Sequence, residues 1–372
     1  MATDEWKIKL LPPLFLPWEP KKELSKQIAV LMSGGVDSSV TAHLLAEQGW
    51  DVMGITMNIP VPCSPNNRSC CGVDAAFVCN KLGIAHHFVD VTKAFQKLIL
   101  EPFRQAYAKG QTPNPCVDCN SLLKFSLLWD FLESEFGISY LATGHYARVI
   151  QTDGPPRLAR AKDRAKDQSY FLYGIAAEKL PRILFPLGEL AKNDVRSIAE
   201  KLGLSVHDKP ESMELCFAGE GDYRQALPQD QTDSCGDITD MEGNRIGTHK
   251  GIANYTLGQR RGIGFAGGKP LYVGKINAEK NTIALGTREQ VSTPTIKASG
   301  INVLIPKEFA AKNRVFGKIR SYGDPHPCKI IDVGQNDMMI DFDQPQFAPS
   351  PGQKLVLYDS DDNIIAGGTI VS

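Results

Sequence analysis

The sequence lacks any apolar run long enough to cross a membrane. A helix that spans a bilayer needs about 20 consecutive apolar residues, whereas the apolar stretch Leu10–Trp18 is interrupted by prolines. This stretch also lacks the small-residue cleavage site of a secretory signal peptide. We therefore expect no signal peptide and no membrane partner. We interpret residues 1–26 as an N-terminal extension that packs on the first domain.

Net charge is almost absent as well. The chain carries 41 Lys and Arg residues against 42 Asp and Glu residues, a formal net charge of -1. This balance excludes a general electrostatic attraction to nucleic acid, so an RNA partner would have to be bound by local basic patches. With 372 residues, of which 42% are hydrophobic, the chain can form about two or three domains.

The cysteine pattern does not indicate a disulfide scaffold. Nine cysteines is an odd number for a chain of 372 residues, and without an export signal it favours a reducing, cytoplasmic compartment and thiol or metal chemistry. Cys63, Cys70 and Cys71 share one polar loop, but no second ligand pair follows at zinc-like spacing. We assign these three cysteines no role.

The stretch Ile28–Ser39 predicts a buried strand, a tight glycine turn and the start of a helix. Loop amides, the hydroxyls of Ser33, Ser38 and Ser39, and the positive end of the helix would converge on one point, which suits a phosphate chain. An ordinary strand-turn-helix corner is the alternative.

Two features of this loop narrow the interpretation. No Gly-Lys-Ser/Thr follows it, so the lysine that holds the β- and γ-phosphates in Walker-type loops is missing. The loop is therefore suited to pyrophosphate as a leaving group. Asp37 would repel phosphate directly, so we expect it to cap the helix or to hold a magnesium ion.

Strand and helix patterns alternate through the first half of the chain. Asp51–Met57, Ala85–Asp90 and Ser139–Thr143 predict buried strands, and this rhythm indicates an α/β fold with a doubly wound parallel sheet. Ligands bind beyond the carboxyl ends of such strands. Short β runs and alternating strands dominate the rest of the chain, indicating a small central domain and a C-terminal β-barrel. We place the domains at residues 27–217, 218–292 and 293–372.

Cys116 and Cys119 form a Cys-x-x-Cys pair at the start of a predicted helix. The positive end of the helix dipole favours thiolate, so we expect lowered thiol pKa values. Half a zinc site, a redox pair and two buried thiols all remain open. The segment Arg157–Lys166 has five basic residues against one acid, which predicts either a solvated face or an RNA-binding patch.

Ser33–Ser38 resembles the signature of the PP-loop ATP-pyrophosphatase superfamily. Further stretches, in the same order along the chain, are similar to the bacterial-type tRNA-specific 2-thiouridylases. They are Asn114-Pro-Cys-Val-Asp-Cys-Asn120, Thr143-Gly-His-Tyr146, Lys166-Asp-Gln-Ser-Tyr-Phe-Leu172, Glu214-Leu-Cys-Phe217 and Tyr255-Thr-Leu-Gly-Gln-Arg-Arg-Gly262. The resemblance extends from about Gln27 to the end of the chain.

This resemblance implies an adenine nucleotide alpha hydrolase-like first domain and ATP-dependent 2-thiolation of the wobble uridine of a tRNA. ATP would adenylate the uracil O2, Mg²⁺ would neutralise pyrophosphate, and sulfur would then replace the oxygen with release of AMP. As an alternative to a nucleotide contact, Met57 is core filler. The implied nucleotide-binding residues are Leu31, Met32, Ser33, Gly34, Gly35, Val36, Asp37, Ser38, Met57 and Gly144.

The resemblance also implies roles for the cysteine thiols. Cys216 matches the cysteine that carries a persulfide, and Cys119 matches the partner that attacks it during sulfur release. Much of the family has an aspartate where this chain has Cys116. The three thiols could therefore hold an iron-sulfur cluster with one open iron, or Cys116 could be a spare thiol that binds no metal.

The implied partners are a tRNA with a wobble uridine and a sulfur donor or persulfide carrier protein. The residues assigned to the target base or the tRNA are Asn114, Pro115, Cys116, His145, Lys166, Asp167, Gln168, Arg320, Ser321 and Gln353. For His145 the alternative is a histidine buried at a strand end. Two other functions compete: a PP-loop synthetase that adenylates a small metabolite, and a non-catalytic RNA- or metal-binding protein.

Overall fold

The computed structural model describes residues 8–20, 26–60, 72–209, 215–218, 222–265, 268–311 and 314–371. The chain divides into two compact units, Met1–Ile99 with Cys116–Gly221 and Leu100–Pro115 with Asp222–Ser372. Residues 100–115, which the sequence places in the first domain, make most of their contacts with the second unit. The predicted domain boundaries stay predictions. Cys63, Cys70 and Cys71 lie outside the described residues.

The first unit contains the predicted parallel sheet, with strand order β1-β4-β3-β2-β5-β8. All neighbouring strands are parallel except β1, which runs antiparallel to β4 at the edge. Strands β6 and β7 form a separate antiparallel pair. The strands are β1 (Lys9–Leu10), β2 (Gln27–Leu31), β3 (Asp51–Asn58), β4 (Ala85–Asp90), β5 (Tyr140–Thr143), β6 (Ala147–Ile150), β7 (Arg157–Arg160) and β8 (Ile183–Leu184).

The helices are divided between the two units, with α4, α8 and α9 in the second. They are α1 (Val36–Glu47), α2 (Val73–Lys81), α3 (Thr92–Phe95), α4 (Glu101–Ala108), α5 (Pro115–Asp118), α6 (Trp129–Phe136), α7 (Lys192–Lys201), α8 (Gln229–Thr232) and α9 (Pro306–Ala310). A π-helical segment, Gln96–Leu100, joins α3 to α4, and another, Cys119–Leu128, joins α5 to α6. In the described part of the chain, no helix has the length and apolar character needed to cross a membrane.

Burial explains why the first sheet forms where the sequence predicts it. Four of the five residues of β2 and the first six of β3 are buried, as expected for parallel strands that are covered on both faces. Ile28, Val30, Val40 and Leu45 pack together in the core between this sheet and its helices. The doubly wound parallel sheet is confirmed.

The second unit contains a small sheet and a barrel. The sheet has the order β10-β9-β12-β11, with β9 (Gly236–Asp240), β10 (Arg245–His249), β11 (Tyr272–Asn277) and β12 (Thr282–Gly286). The barrel is closed in the order β13-β16-β15-β14-β17-β18, which confirms the predicted C-terminal β-barrel. Its strands are β13 (Ser292–Val303), β14 (Arg314–Lys318), β15 (His326–Val333), β16 (Asp337–Phe347), β17 (Lys354–Tyr358) and β18 (Ile364–Ile370).

Candidate active site

The loop between β2 and α1 is closed by its own hydrogen bonds. The amide of Met32 donates to Ile55 O at 2.7 Å, which ties the loop to β3. The amide of Ser33 donates to Ser38 Oγ at 3.2 Å. Ser39 Oγ donates to Gly35 O at 2.8 Å and is fully buried, so this hydroxyl does not face a phosphate as expected. The loop is thus pre-formed, as an anion site requires.

Asp37 makes a different set of contacts from those we expected. Helix α1 is capped by Gly35 and has no side-chain cap, so Asp37 does not cap it. Instead, both Asp37 carboxylate oxygens accept hydrogen bonds from Lys192 Nζ at 2.7 Å. Tyr146 Oη donates to Asp37 Oδ1 at 2.9 Å. The Lys192 side chain is only 9% exposed, so Asp37 holds a nearly buried ammonium group beside the loop.

Two lysines near this loop were missed by the sequence analysis. Lys192 is the first residue of α7. Lys209 Nζ donates to Gly34 O at 3.1 Å and to Asp74 Oδ2 at 2.8 Å. Both lysines are more than 150 residues from the glycine loop in sequence, and no local pattern marks them. They place two ammonium groups beside a loop that has no Walker-type lysine.

The segment Asp163–Ser169 is held by hydrogen bonds to the Asp167 carboxylate. The Asp167 carboxylate accepts from Arg160 Nε and from the amides of Ala161 and Ser169, each at 3.1 Å, and its side chain is only 1% exposed. Asp167 therefore stabilises this segment from within the protein, and the tRNA contact predicted for it stays a prediction. The same ion pair buries Arg160, so the basic run Arg157–Lys166 is not a uniform solvent-exposed patch.

Gln168 and Asp163 extend the support to the residues that hold Asp37. The backbone amide of Gln168 donates to Tyr146 O at 2.8 Å, and its Oε1 accepts from the Tyr146 amide at 2.9 Å. Asp163 Oδ2 accepts from the amide of Lys192 at 3.1 Å. Gln168 thus positions Tyr146, a role other than the predicted tRNA contact. Lys166, which precedes these residues, is half-buried.

The predicted nucleotide residues outside the loop lie at neighbouring strand ends. Leu31 ends β2, Met57 lies near the end of β3, and Gly144 follows β5. A Cβ atom on Gly144 would lie 2.8 Å from Asp37 C and Ser38 N. Glycine is therefore required here because the first turn of α1 packs directly against the end of β5. Met57 is half-buried, which leaves its role as nucleotide contact or core filler open.

His145 contacts the helical segment of residues 115–128 that carries Cys116 and Cys119, which we call the cysteine helix. Its Nδ1 is 2.7 Å from Thr143 Oγ1, and its ring lies 6.4 Å from Phe125 and 6.3 Å from Phe185. Burial, together with the charge of Lys124, lowers the pKa of His145 to about 3. This histidine is therefore neutral near pH 7, which favours the strand-end alternative over a charged RNA contact.

The thiols of Cys116, Cys119 and Cys216 lie close enough to interact electrostatically. Burial raises the pKa of Cys116 to about 11, and it also raises the pKa of Cys119. Burial, together with the other two thiols, raises the pKa of Cys216 to about 12. Our expectation of lowered pKa values is wrong because desolvation outweighs the helix dipole. All three thiols are protonated at rest.

Lys124 is the cation that opposes these shifts. Its charge lowers the pKa of each of the three thiols. The ammonium group is held by Asn120 Oδ1 at 3.0 Å, and Asn120 in turn donates to Phe171 O at 3.0 Å. The sequence placed Lys124 on the same predicted helix as the two cysteines but gave no reason to single it out.

Comparison with known proteins identifies the family. Three family models match consecutive parts of the chain: a tRNA methyl transferase HUP domain over residues 26–220, a tRNA methyl transferase PRC-barrel domain over 224–287 and an Aminomethyltransferase beta-barrel domain over 293–370. The chain is 40% identical to the tRNA-specific 2-thiouridylase MnmA of Carboxydothermus hydrogenoformans, over 93% of this chain and 97% of that protein. The chain belongs to this 2-thiouridylase family. The protein of the same name from Syntrophotalea carbinolica is 41% identical over 94% of this chain and 99% of its own length.

In this 2-thiouridylase family member, the three thiols do not form a metal site. Among the described residues, which include all three cysteines, no group of three or more His, Cys, Asp or Glu side chains is arranged to hold a metal ion. The described residues therefore give no support to an iron-sulfur cluster at these thiols. The two interpretations of Cys116, a cluster ligand or a thiol that binds no metal, both stay predictions.

The remaining predicted tRNA residues lie in the second unit. Asn114 is buried, and Pro115 is the first residue of α5. Arg320 donates to Phe347 O at 3.1 Å and Ala348 O at 2.9 Å, and its guanidinium lies 5.6 Å from the centre of the Phe347 ring. Ser321 is half-buried. Gln353 Nε2 donates to Thr112 O at 2.9 Å, so its amide is already engaged within the protein.

Proposed function

We propose that this protein 2-thiolates the wobble uridine of tRNA in two steps, adenylation of the uracil O2 followed by sulfur transfer to C2. One observation carries the proposal. The end of β5 contacts both chemical parts of the first unit: Gly144 packs against the phosphate-loop helix, and His145 packs against Phe125 in the cysteine helix. A single strand end thus joins the groups suited to activating a base to those suited to delivering sulfur.

In the first step, the uracil O2 attacks the α-phosphorus of ATP and pyrophosphate leaves. The pre-formed loop binds the phosphates through its amides. Lys192, oriented by Asp37 and Tyr146, supplies positive charge where negative charge accumulates on the departing pyrophosphate. Mg²⁺ would be bound by the ATP phosphates and not by Asp37, because the Asp37 carboxylate is already paired with Lys192.

In the second step, the terminal sulfur of a Cys216 persulfide bonds to C2 and AMP leaves. The Cys119 thiolate then attacks Cys216 Sγ, breaking the sulfur-sulfur bond and leaving the transferred sulfur on the base. This step leaves a Cys119–Cys216 disulfide on the protein. A thiol reductant must therefore restore both thiols before the next turnover. Lys124 favours the thiolate that this attack requires.

The partners follow from this chemistry. The base must leave its stack to reach the site, so the protein must hold the tRNA on either side of the target base. We propose that Lys166 and Ser321 contact the tRNA directly and that Asn114 and Pro115 frame the base. A sulfur donor protein would load Cys216, which is exposed as a residue although its thiol is desolvated by the surrounding protein. We place the reaction in the cytoplasm, where thiols stay reduced.

Methyl transfer, named in two of the family models, is a poorer match to the site. It needs neither a pyrophosphate-binding loop nor paired thiols, and the relatives named above are 2-thiouridylases. A synthetase for a small metabolite would leave the three thiols without a use. The non-catalytic alternative would leave the Asp37–Lys192 pair without a use.

The test compares Cys216→Ser with wild type on unmodified tRNA. The variant should still adenylate the tRNA and release pyrophosphate when tRNA is present, but it should produce no 2-thiouridine. Cys235→Ser, which changes an exposed free cysteine in the second unit, is the matched control and should thiolate normally. Pyrophosphate release that depends on a small metabolite and not on tRNA would contradict the proposal.

A further inference from the structure

A turn of the C-terminal barrel holds the loop that leads into the cysteine helix. Both belong to the second unit. Gln353 Nε2 donates to Thr112 O at 2.9 Å and to Pro113 O at 3.3 Å. The amide of Thr112 donates back to Pro351 O at 2.9 Å. Three hydrogen bonds thus join two segments that lie about 240 residues apart in sequence.

The contact is too close to be incidental. Gly352 has a φ of +95°, and a Cβ atom there would lie 3.0 Å from Thr112 C and O and 3.2 Å from Pro113 N. Only glycine combines this backbone conformation with such an approach. The barrel backbone therefore lies directly against the loop.

The turn itself is rigid. The amide of Gln353 donates to Ser350 O at 3.0 Å, the amide of Gly352 donates to Ile370 O at 2.9 Å, and the amide of Ile370 donates to Gln353 O at 2.8 Å. These bonds tie the turn to the end of β18. Because the barrel is closed, this end has no free sheet edge at which to shift.

The other end of the loop is fixed as well. The amide of Gln111 donates to Ala106 O at 2.9 Å, which anchors the loop to α4. A Cβ atom on Gly110 would lie 2.6 Å from Ile276 Cγ2 in β11. The loop is thus held on both sides, and it continues through Asn114 into Pro115, the first residue of the helical segment that carries Cys116 and Cys119.

We propose that Gln353 is a positioning residue, which sets the place of the loop that contains Asn114 and Pro115, the residues assigned to the target base, through its hydrogen bonds to Thr112 and Pro113. This role is distinct from the direct tRNA contact predicted for Gln353, and it rests on the proposed function. The barrel then does more than bind RNA, because its Ser350–Gln353 turn holds the loop of the same unit that leads to Asn114 and Pro115. Small misplacements of reacting groups cost large factors in rate.

The test is Gln353→Met, which keeps the length of the side chain but removes the amide donor. Gln344→Met is the matched control, because Gln344 is an exposed residue of β16 in the same barrel. With saturating tRNA and ATP, we expect kcat for thiolation to fall about ten- to hundredfold in Gln353→Met, while the Kd for tRNA changes less than twofold. The control should match wild type in both.

A second measurement needs no activity. Hydrogen exchange of the Thr112 amide in the full chain should become faster in Gln353→Met and stay unchanged in Gln344→Met, because Gln353 holds the carbonyl of the same residue. An increase in tRNA Kd with unchanged kcat, or unchanged Thr112 exchange, would overturn the positioning role. If wild type fails to thiolate tRNA, the proposed function fails, and the exchange experiment still decides the role of Gln353.

Discussion

Replacing Lys192 with Met should separate adenylation from the other steps. Methionine keeps an unbranched side chain of similar length but removes the ammonium group that lies 2.7 Å from both Asp37 oxygens. Removing one pre-organised stabiliser of developing charge typically costs about 10²- to 10³-fold in rate. We expect a loss of this size in tRNA-dependent AMP formation, with tRNA binding unchanged.

The effect on stability should be smaller. Breaking a fully buried ion pair costs about 3–5 kcal/mol, but the Asp37 side chain is 31% exposed, so water can solvate the carboxylate that is left. We therefore expect the free energy of unfolding to fall by roughly 1–2 kcal/mol. Thermal denaturation would measure this and would show that the loss of activity does not come from unfolding.

A double-mutant cycle with Asp37→Asn tests how the pair works. If Asp37 acts by orienting Lys192, the double variant should be no more than about threefold slower than the slower single variant, because both changes remove one function. If Asp37 instead held Mg²⁺ independently, the two losses would multiply to about 10⁴-fold or more. Multiplicative losses, or full adenylation by Lys192→Met, would refute the reasoning.

Four further predictions concern the rest of the site. Gly144→Ala should lower stability by about 1–3 kcal/mol and weaken ATP binding, because the new Cβ would press on Asp37 in the first turn of α1; denaturation and ATP titration would detect this. Lys124→Met should raise the thiol pKa values and slow alkylation of Cys216 about tenfold for each unit of increase, measured by mass spectrometry against pH. Protein freed of iron should still thiolate tRNA and carry a trappable persulfide on Cys216, whereas loss of thiolation on iron removal would favour the cluster. As pH falls below 6.5, the unfolded chain binds a proton at His145 that the folded chain refuses until about pH 3, so stability should fall; His145→Gln should reduce the difference in Tm between pH 7.5 and pH 5.

Local patterns in the sequence predicted the fold well. The apolar runs of β2 and β3, the glycine turn and the helix that follows are properties of neighbouring residues, so one sequence displays them. The barrel was likewise visible as alternating strands separated by turns. The assignment of residues 100–115 to the second unit was not visible, because contacts such as that between Thr112 and Gln353 join distant segments.

The site was predicted less completely, for the same physical reason. The position of Lys192 next to Asp37 depends on how α7 packs, and 155 residues separate the two. The sequence marks Asp167 as polar but cannot distinguish a carboxylate that faces RNA from one that is buried against Arg160. The prediction of lowered thiol pKa values was wrong for the same reason. The start of a helix is visible in the local sequence, whereas the burial that raises these pKa values depends on tertiary packing.

The end of β5 shows why the two chemical steps belong to one site. Gly144 contacts the first turn of α1, His145 contacts the cysteine helix through Phe125, and Tyr146 donates to Asp37. Three consecutive residues therefore contact the first turn of α1, the cysteine helix and the carboxylate that orients Lys192. A shift of this short segment would disturb adenylation and sulfur transfer together. Gln168 hydrogen-bonds the backbone of Tyr146 in both directions, which holds this segment in place, and the Asp167 carboxylate before it accepts from the amide of Ala161.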